Sequence, residues 1–295
     1  DAKQAAKQGI ASQLTPDSTN TQAPVPAALA DVYKAAANDA QKGYAEGLTG
    51  KPVSDGNNAS ETQGNQKGAA DKQKYDDALA DFANGITDPN QATNAADKTD
   101  PVYQEALKAL NDVKNGTTPT DSDKQSPVYV VAYSQALAKK QALADIAAAN
   151  NTAGASDPKT IGSGSVKTVD VPDKQSFIDA YNNAIAGYNA GKSDDSSARP
   201  TNSDPADQQA FNDAKAAGQA ARGANDLLNG VTTAKSVDGT TNDSSYIAGV
   251  DDASAGYTDG LNGTTTASAD VQATPAYQKA YAQGQADKAG VDAAK

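Results

Sequence analysis

Four apolar quartets share one spacing, and that spacing decides what most of this chain can become. Tyr33, Ala37, Ala40 and Tyr44 stand four, three and four residues apart. So do Val102, Ala106, Ala109 and Val113, then Phe177, Tyr181, Ala184 and Tyr188, and finally Tyr246, Val250, Ala253 and Tyr257. Residues three and four apart lie on one face of an α-helix, so each quartet predicts an apolar stripe along three helical turns. They recur roughly every 70 residues, which reads as a repeating unit of a pair of helices. Other helix-like segments lie between them at 65–84, 127–149 and 205–229, with partial ones at 1–14 and 275–295.

The sequence therefore predicts an all-α fold of about four tandem helical hairpins, with antiparallel helices seamed by Ala and Tyr in an elongated chain. Residues 1–150 form the expected first half and 172–295 the second. Between them, 151–171 reads as a linker or short extended segment, centred on SVKTVDV at 165–171.

Punctuation supports the helices. Asp100-Pro101, Ser126-Pro127, Asp204-Pro205 and Thr274-Pro275 each set a capping side chain before a proline. The side-chain oxygen accepts an orphan backbone N–H, and proline suits the first helical position. Gly47, Gly85, Gly116, Gly191, Gly230 and Gly260 read as stops just past helix ends. The octets GYAEGLTG (43–50) and GYTDGLNG (256–263) then close a helix. They do not follow a strand and open a helix, as a phosphate-binding loop must. In this reading Gly43 is small so that a neighbouring helix can come close, Gly47 is the stop, and Tyr103 lies beside its helix's stripe.

Composition sharpens the problem. Leu, Ile, Val and Phe make up about one residue in eight, below the ~20% under which a charged chain is expected to be disordered. A disordered spacer is therefore a rival reading. Alanine is abundant and is the best helix former, and close Ala and Gly seams regain dispersion contacts that leucine would otherwise supply. Tyrosine adds large area with its hydroxyl at the edge.

Several chemistries are excluded or disfavoured. The chain has neither Cys nor His, so thiolate chemistry is absent and the commonest general base is missing. No cofactor or metal site is expected, and the chain is not expected to be an enzyme. The pairs Asp76-Asp77, Asp194-Asp195 and Asp251-Asp252 are neighbours in sequence, which do not face each other on a helix. The loop at 238–245 offers oxygen ligands without the order of an EF-hand. A net charge of −12 with two arginines disfavours nucleic acid, which needs clustered cations. No apolar run is long enough for membrane insertion. The weak ligand candidates are the aromatic pairs Tyr129/Tyr133 and Tyr277/Tyr281, as stacking platforms for a sugar ring.

Alanine-rich helical repeats carrying YVVAY (129–133), YQKAY (277–281) and the two GYxxGLxG octets, with Thr/Asp/Ser loops, resemble the repeat regions of cell-wall-associated surface proteins and adhesins of Gram-positive bacteria, lactobacilli especially. The resemblance implies an extracellular, wall-attached, elongated segment that acts as an adhesin stalk or scaffold in adhesion or self-association. Its partners would be itself, a host glycoprotein or a cell-wall polysaccharide. The alternative function is a glycan- or mucin-binding module using loops and exposed tyrosines.

Overall fold

The computed structural model describes residues 6–8, 27–54, 58–151, 157–162, 171–193, 195, 197–200, 204–231 and 244–294. Among them the chain is helical, with no strand. The helices are α1 (Ala30–Leu48), α2 (Ala59–Ala83), α3 (Pro101–Asn115), α4 (Pro127–Asn151), α5 (Lys174–Ser193), α6 (Pro205–Leu228), α7 (Ser244–Asn262), the single turn α8 (Ala269–Gln272) and α9 (Pro275–Ala293). Residues 157–162 carry neither helix nor strand. Residues 165–170 of the expected extended segment, and 238–243 of the oxygen-rich loop, lie outside the described residues.

All four expected proline caps form. Asp100 accepts from the N–H groups of Val102 and Tyr103, and Thr274 from that of Tyr277. Ser126 Oγ accepts from Tyr129 N–H at 3.2 Å, and Asp204 from Ala206 N–H at 2.8 Å. Each such cap is worth about 1 kcal/mol.

The glycines divide into two kinds. Gly50, Gly85, Gly116, Gly230 and Gly263 have φ between 67° and 88°. In each case the glycine N–H bonds the carbonyl three residues back, and the next N–H bonds the carbonyl five residues before it. Gly85 to Phe82 (3.0 Å) and Ile86 to Asp81 (2.9 Å) are one example. This is the Schellman closure, which satisfies the last free carbonyls of a helix.

Gly47, Gly191 and Gly260, expected to be stops as well, lie inside their helices. They form seams instead. A methyl group added to Gly43 would sit 2.7 Å from the carbonyl carbon of Glu61 and closer still to its oxygen; one on Gly47 would sit 2.7 Å from Ala69 N. From the other side, Gly64 faces Ala40 and Gly68 faces Leu48, whose backbone atoms would stand 2.9 and 2.8 Å away. Glycine pairs four apart on both helices thus bring two backbones into direct contact, as small-residue motifs do elsewhere.

The same seams correct the expected direction. Moving from Gly43 to Gly47 on α1 moves the neighbour from Glu61 to Asn65 on α2, so the two helices run parallel. Gly187 and Gly191 on α5 meet Phe211 and Lys215 on α6; Gly256 and Gly260 on α7 meet Tyr277 and Tyr281 on α9. Those pairs are parallel too. Among the described glycine seams, the one at α6/α7 reverses the register, with Gly223 beside Tyr246 and Gly249 beside Ala220. At the three parallel seams the chain must therefore return along the first helix before the second begins.

By internal packing the chain forms two compact units: Asp1–Leu137 with Ser163–Asp179 and Asn202–Ala206, and Ala138–Gly162 with Ala180–Thr201 and Asp207–Lys295. This division runs through α4, α5 and α6 and does not follow the expected halves at 151–171. The core of the first unit gathers Tyr44, Leu48, Tyr75, Val102, Tyr103, Leu107, Val113, Tyr129 and Val131 among its members. In the second, Ala224, Ala253, Ala276 and Ala280 cluster with Leu227, Leu228 and Tyr257 against them. Tyr103 is fully buried, not set beside the stripe. It stands at the third helical position of α3, where its ring reaches back to the end of α2.

Candidate functional site

The polar chemistry of the described residues concentrates where one helix ends and the next begins. Each Schellman glycine is preceded, four residues earlier, by an acid: Glu46, Asp81, Asp112, Asp226 and Asp259. A negative charge there opposes the helix macrodipole, so it needs compensation. In four joints a tyrosine at the third position of the next long helix supplies it. Tyr103 donates to Asp81 (2.8 Å), Tyr129 to Asp112 (2.9 Å), Tyr246 to Asp226 (2.9 Å) and Tyr277 to Asp259 (2.8 Å). Threonines complete two of them. Thr93 donates N–H and hydroxyl to Asp81, and Thr266 donates both to Asp259, the N–H bonds being 3.0 and 2.7 Å. These tyrosine latches are the residues sequence reading missed. The signal was present in the acid, the glycine four later and, at three of the four, the tyrosine two residues after a helix-opening proline; Tyr246 follows Ser244 instead.

The fifth joint departs from the pattern. Glu46 ends α1, and Glu61, not tyrosine, holds the third position of α2. The Ser54 N–H is shared between the two carboxylates, at 3.3 Å to Glu46 and 2.8 Å to Glu61. Lys42 bonds Glu61 at 3.2 Å. Burial raises the Glu46 carboxyl, with the charge of Glu61 acting the same way. A groove of about 610 Å³ opens beside this joint, lined by Lys42, Glu46, Lys51, Val130, Val131 and Asp179. Lys51 is ion-paired to Asp179 there. In the second unit, Asn225, Tyr257, Lys279, Gln283 and Asp287 line another of about 650 Å³. Its polar groups hold one another: Lys279 donates to Asn225 (2.7 Å), while Tyr257 and Gln283 both donate to Asp287 (2.8 Å each).

Burial raises the phenol of Tyr103, and its bond to Asp81 raises it further. Tyr277 is pushed up to about 12 by burial and by Asp259. The carboxylates move the other way. Burial alone would raise Asp81, but the donors from Thr93 and Tyr103 overcome it and hold it below its ordinary range. Asp259 is held down to about 2, first by the Thr266 hydroxyl and also by Tyr277 and two backbone N–H groups.

The expected stacking residues are placed differently from a sugar platform. Tyr129 and Tyr133 stack on each other, centroids 5.7 Å apart, and Lys108 covers Tyr129 at 4.6 Å. Tyr277 and Tyr281 stack at 5.8 Å. Tyr129, Tyr133 and Tyr277 are buried and Tyr281 is half-buried, so these rings serve the helix joints. Asp76 pairs with Lys72 on its own helix, and Asp77 accepts from Gln73, away from Asp76. Among the described residues no cluster of three acidic side chains could hold a metal ion, and no helix is long and apolar enough to cross a membrane. Comparisons with protein-family models, with curated proteins and with solved structures found no match.

Proposed function

We propose that this chain is a non-enzymatic repeat segment of an extracellular bacterial surface protein, a stalk or scaffold that associates with copies of itself when its surroundings turn acid. The observation that carries the reading is that the carboxylates of two joints, Asp81 and Asp259, are each held by hydroxyl and backbone donors. The chain bears −12 at neutral pH and its isoelectric point is about 4.4. Near that point repulsion between copies vanishes, and near-zero net charge promotes association.

The sign of each titration decides whether the fold survives to that pH. Asp259 and Asp81 have folded values below their unfolded ones. Their contribution is complete above about pH 4 and is lost as pH falls through their folded values, about 2 for Asp259. Asp204 and Asp76, and Glu46, are raised, chiefly by burial. Folding resists their ionisation, so protonating them on the way down adds stability. Stability should therefore hold or rise from neutrality to about pH 4.5, then fall steeply below about pH 4.

Light scattering with circular dichroism, from neutrality to about pH 4 at fixed salt, tests this. The expected result is growing mass with unchanged helicity. A chain that stays monomeric, or that associates only as helix is lost, sinks the proposal. The alternative of a glycan-binding module is favoured by the groove around Tyr257, where amides and a phenol ring meet. A saturable change in tyrosine fluorescence on titration with mucin would support that reading; the scaffold reading expects none.

A further inference from the structure

The chain contains four Asn-Gly dipeptides, Asn84-Gly85, Asn115-Gly116, Asn229-Gly230 and Asn262-Gly263. Every one of them is a Schellman closure, its glycine at positive φ. The recurrence is not explained by contacts of the asparagine. All four side chains are exposed. At the fifth closure Thr49 fills the same place, and its hydroxyl bonds the carbonyl of Ala45 at 2.8 Å.

Asn-Gly has a chemistry of its own. The glycine nitrogen, on losing its proton, attacks the asparagine side-chain carbonyl carbon. A C–N bond forms, ammonia leaves, and a five-membered succinimide results. Water opens the ring at either carbonyl, giving aspartate or isoaspartate. Glycine favours the step because no side chain obstructs its nitrogen.

The fold opposes this reaction in two ways. Each glycine N–H is donated to a carbonyl three residues back, at 3.0 Å for Gly85 and Gly230 and 3.3 Å for Gly116 and Gly263. Ring closure also requires the glycine nitrogen to eclipse the asparagine Cβ. At Asn84 ψ is 6°, so the nitrogen eclipses the residue's own backbone nitrogen and is swung roughly a third of a turn from Cβ. Reaction therefore needs the helix end to open.

We propose that these four dipeptides are deamidation sites gated by the fold: closed while their helix ends are formed, open when a segment unfolds, and then an irreversible mark of that unfolding. The product adds a negative charge at a helix C-terminus that already carries an acid four residues before its glycine, where the macrodipole is unfavourable. Isoaspartate also lengthens the backbone inside a closure whose two hydrogen bonds fix its geometry. A marked segment thus refolds poorly. This inference is independent of the proposed surface role.

The test incubates the full chain in mildly alkaline buffer, native and in unfolding urea, and maps deamidation by peptide mass spectrometry. The expected result is a native rate at least about tenfold lower at all four sites, as local closure protects slow chemistry. Equal rates in the two arms at two or more sites would overturn the gating. The urea-treated, deamidated chain is then returned to native buffer beside a chain exposed to urea only briefly. Lower recovered helicity in the deamidated chain is expected; equal recovery would overturn the mark.

Discussion

Gly43→Ala is expected to destabilise the first unit by about 3 kcal/mol or more, whereas Gly290→Ala should leave it unchanged and stabilise α9 by up to about 1 kcal/mol. Both glycines are helical, and alanine is the better helix former at either place. The difference lies in what the added methyl meets. At Gly290 there is nothing within 4 Å. At Gly43 it meets the backbone of Glu61, which cannot rotate aside as a side chain can. The two helices must separate, and the contacts of Gly47, Gly64 and Gly68 along the same seam weaken with them. For a unit of this size the loss is about 6–12 °C in melting temperature. Thermal melts followed by circular dichroism measure it. Equal melting temperatures for Gly43→Ala and the parent would mean that the seam is not a backbone contact.

Asp81→Ala should cost on the order of 3–4 kcal/mol in urea denaturation, and Tyr103→Phe about 1–2 kcal/mol. Removing the carboxylate takes the acceptor from three donors, the buried Tyr103 hydroxyl and the N–H and hydroxyl of the exposed Thr93. Removing the phenol hydroxyl leaves Asp81 still served by Thr93. The two substitutions share one network, so the double variant should lose clearly less than the sum of the singles. Strict additivity would show that the latch is not a unit.

Which parts of this fold were legible in the sequence follows from the range of the forces involved. Helix stripes and proline caps are local: Ala106, Ala109, Asp100 and Thr274 act within a few residues of themselves, and all stand where spacing put them. The glycines were only half legible. Gly85 and Gly47 look alike from within their own helices, but one closes a helix and the other meets a backbone twenty-two residues further along the chain, at Ala69. The distinguishing signal was the second glycine pair, Gly64 and Gly68, on the partner helix.

Direction was not legible for the same reason. A polar connection of ten residues permits either a hairpin or a return, and the register of two facing glycine pairs chooses between them. Tyr129 and Tyr277 are legible as the first members of tyrosine pairs four apart on one helix face. Their partners, Asp112 and Asp259, lie across a loop, and without those partners a stacked aromatic pair reads as a surface for a ligand.

The parallel seam is the central claim, and paired spin labels test it most directly. The chain has no cysteine, so two introduced cysteines carry the labels without competition. Val32 near the start of α1 and Ala59 and Ala83 at the two ends of α2 are exposed. The 25 residues of α2 span about 37 Å. A parallel pair predicts a short Val32–Ala59 distance and a Val32–Ala83 distance longer by on the order of 30 Å. The reverse order, with Ala83 the nearer label, would contradict the parallel seam and restore the antiparallel hairpin.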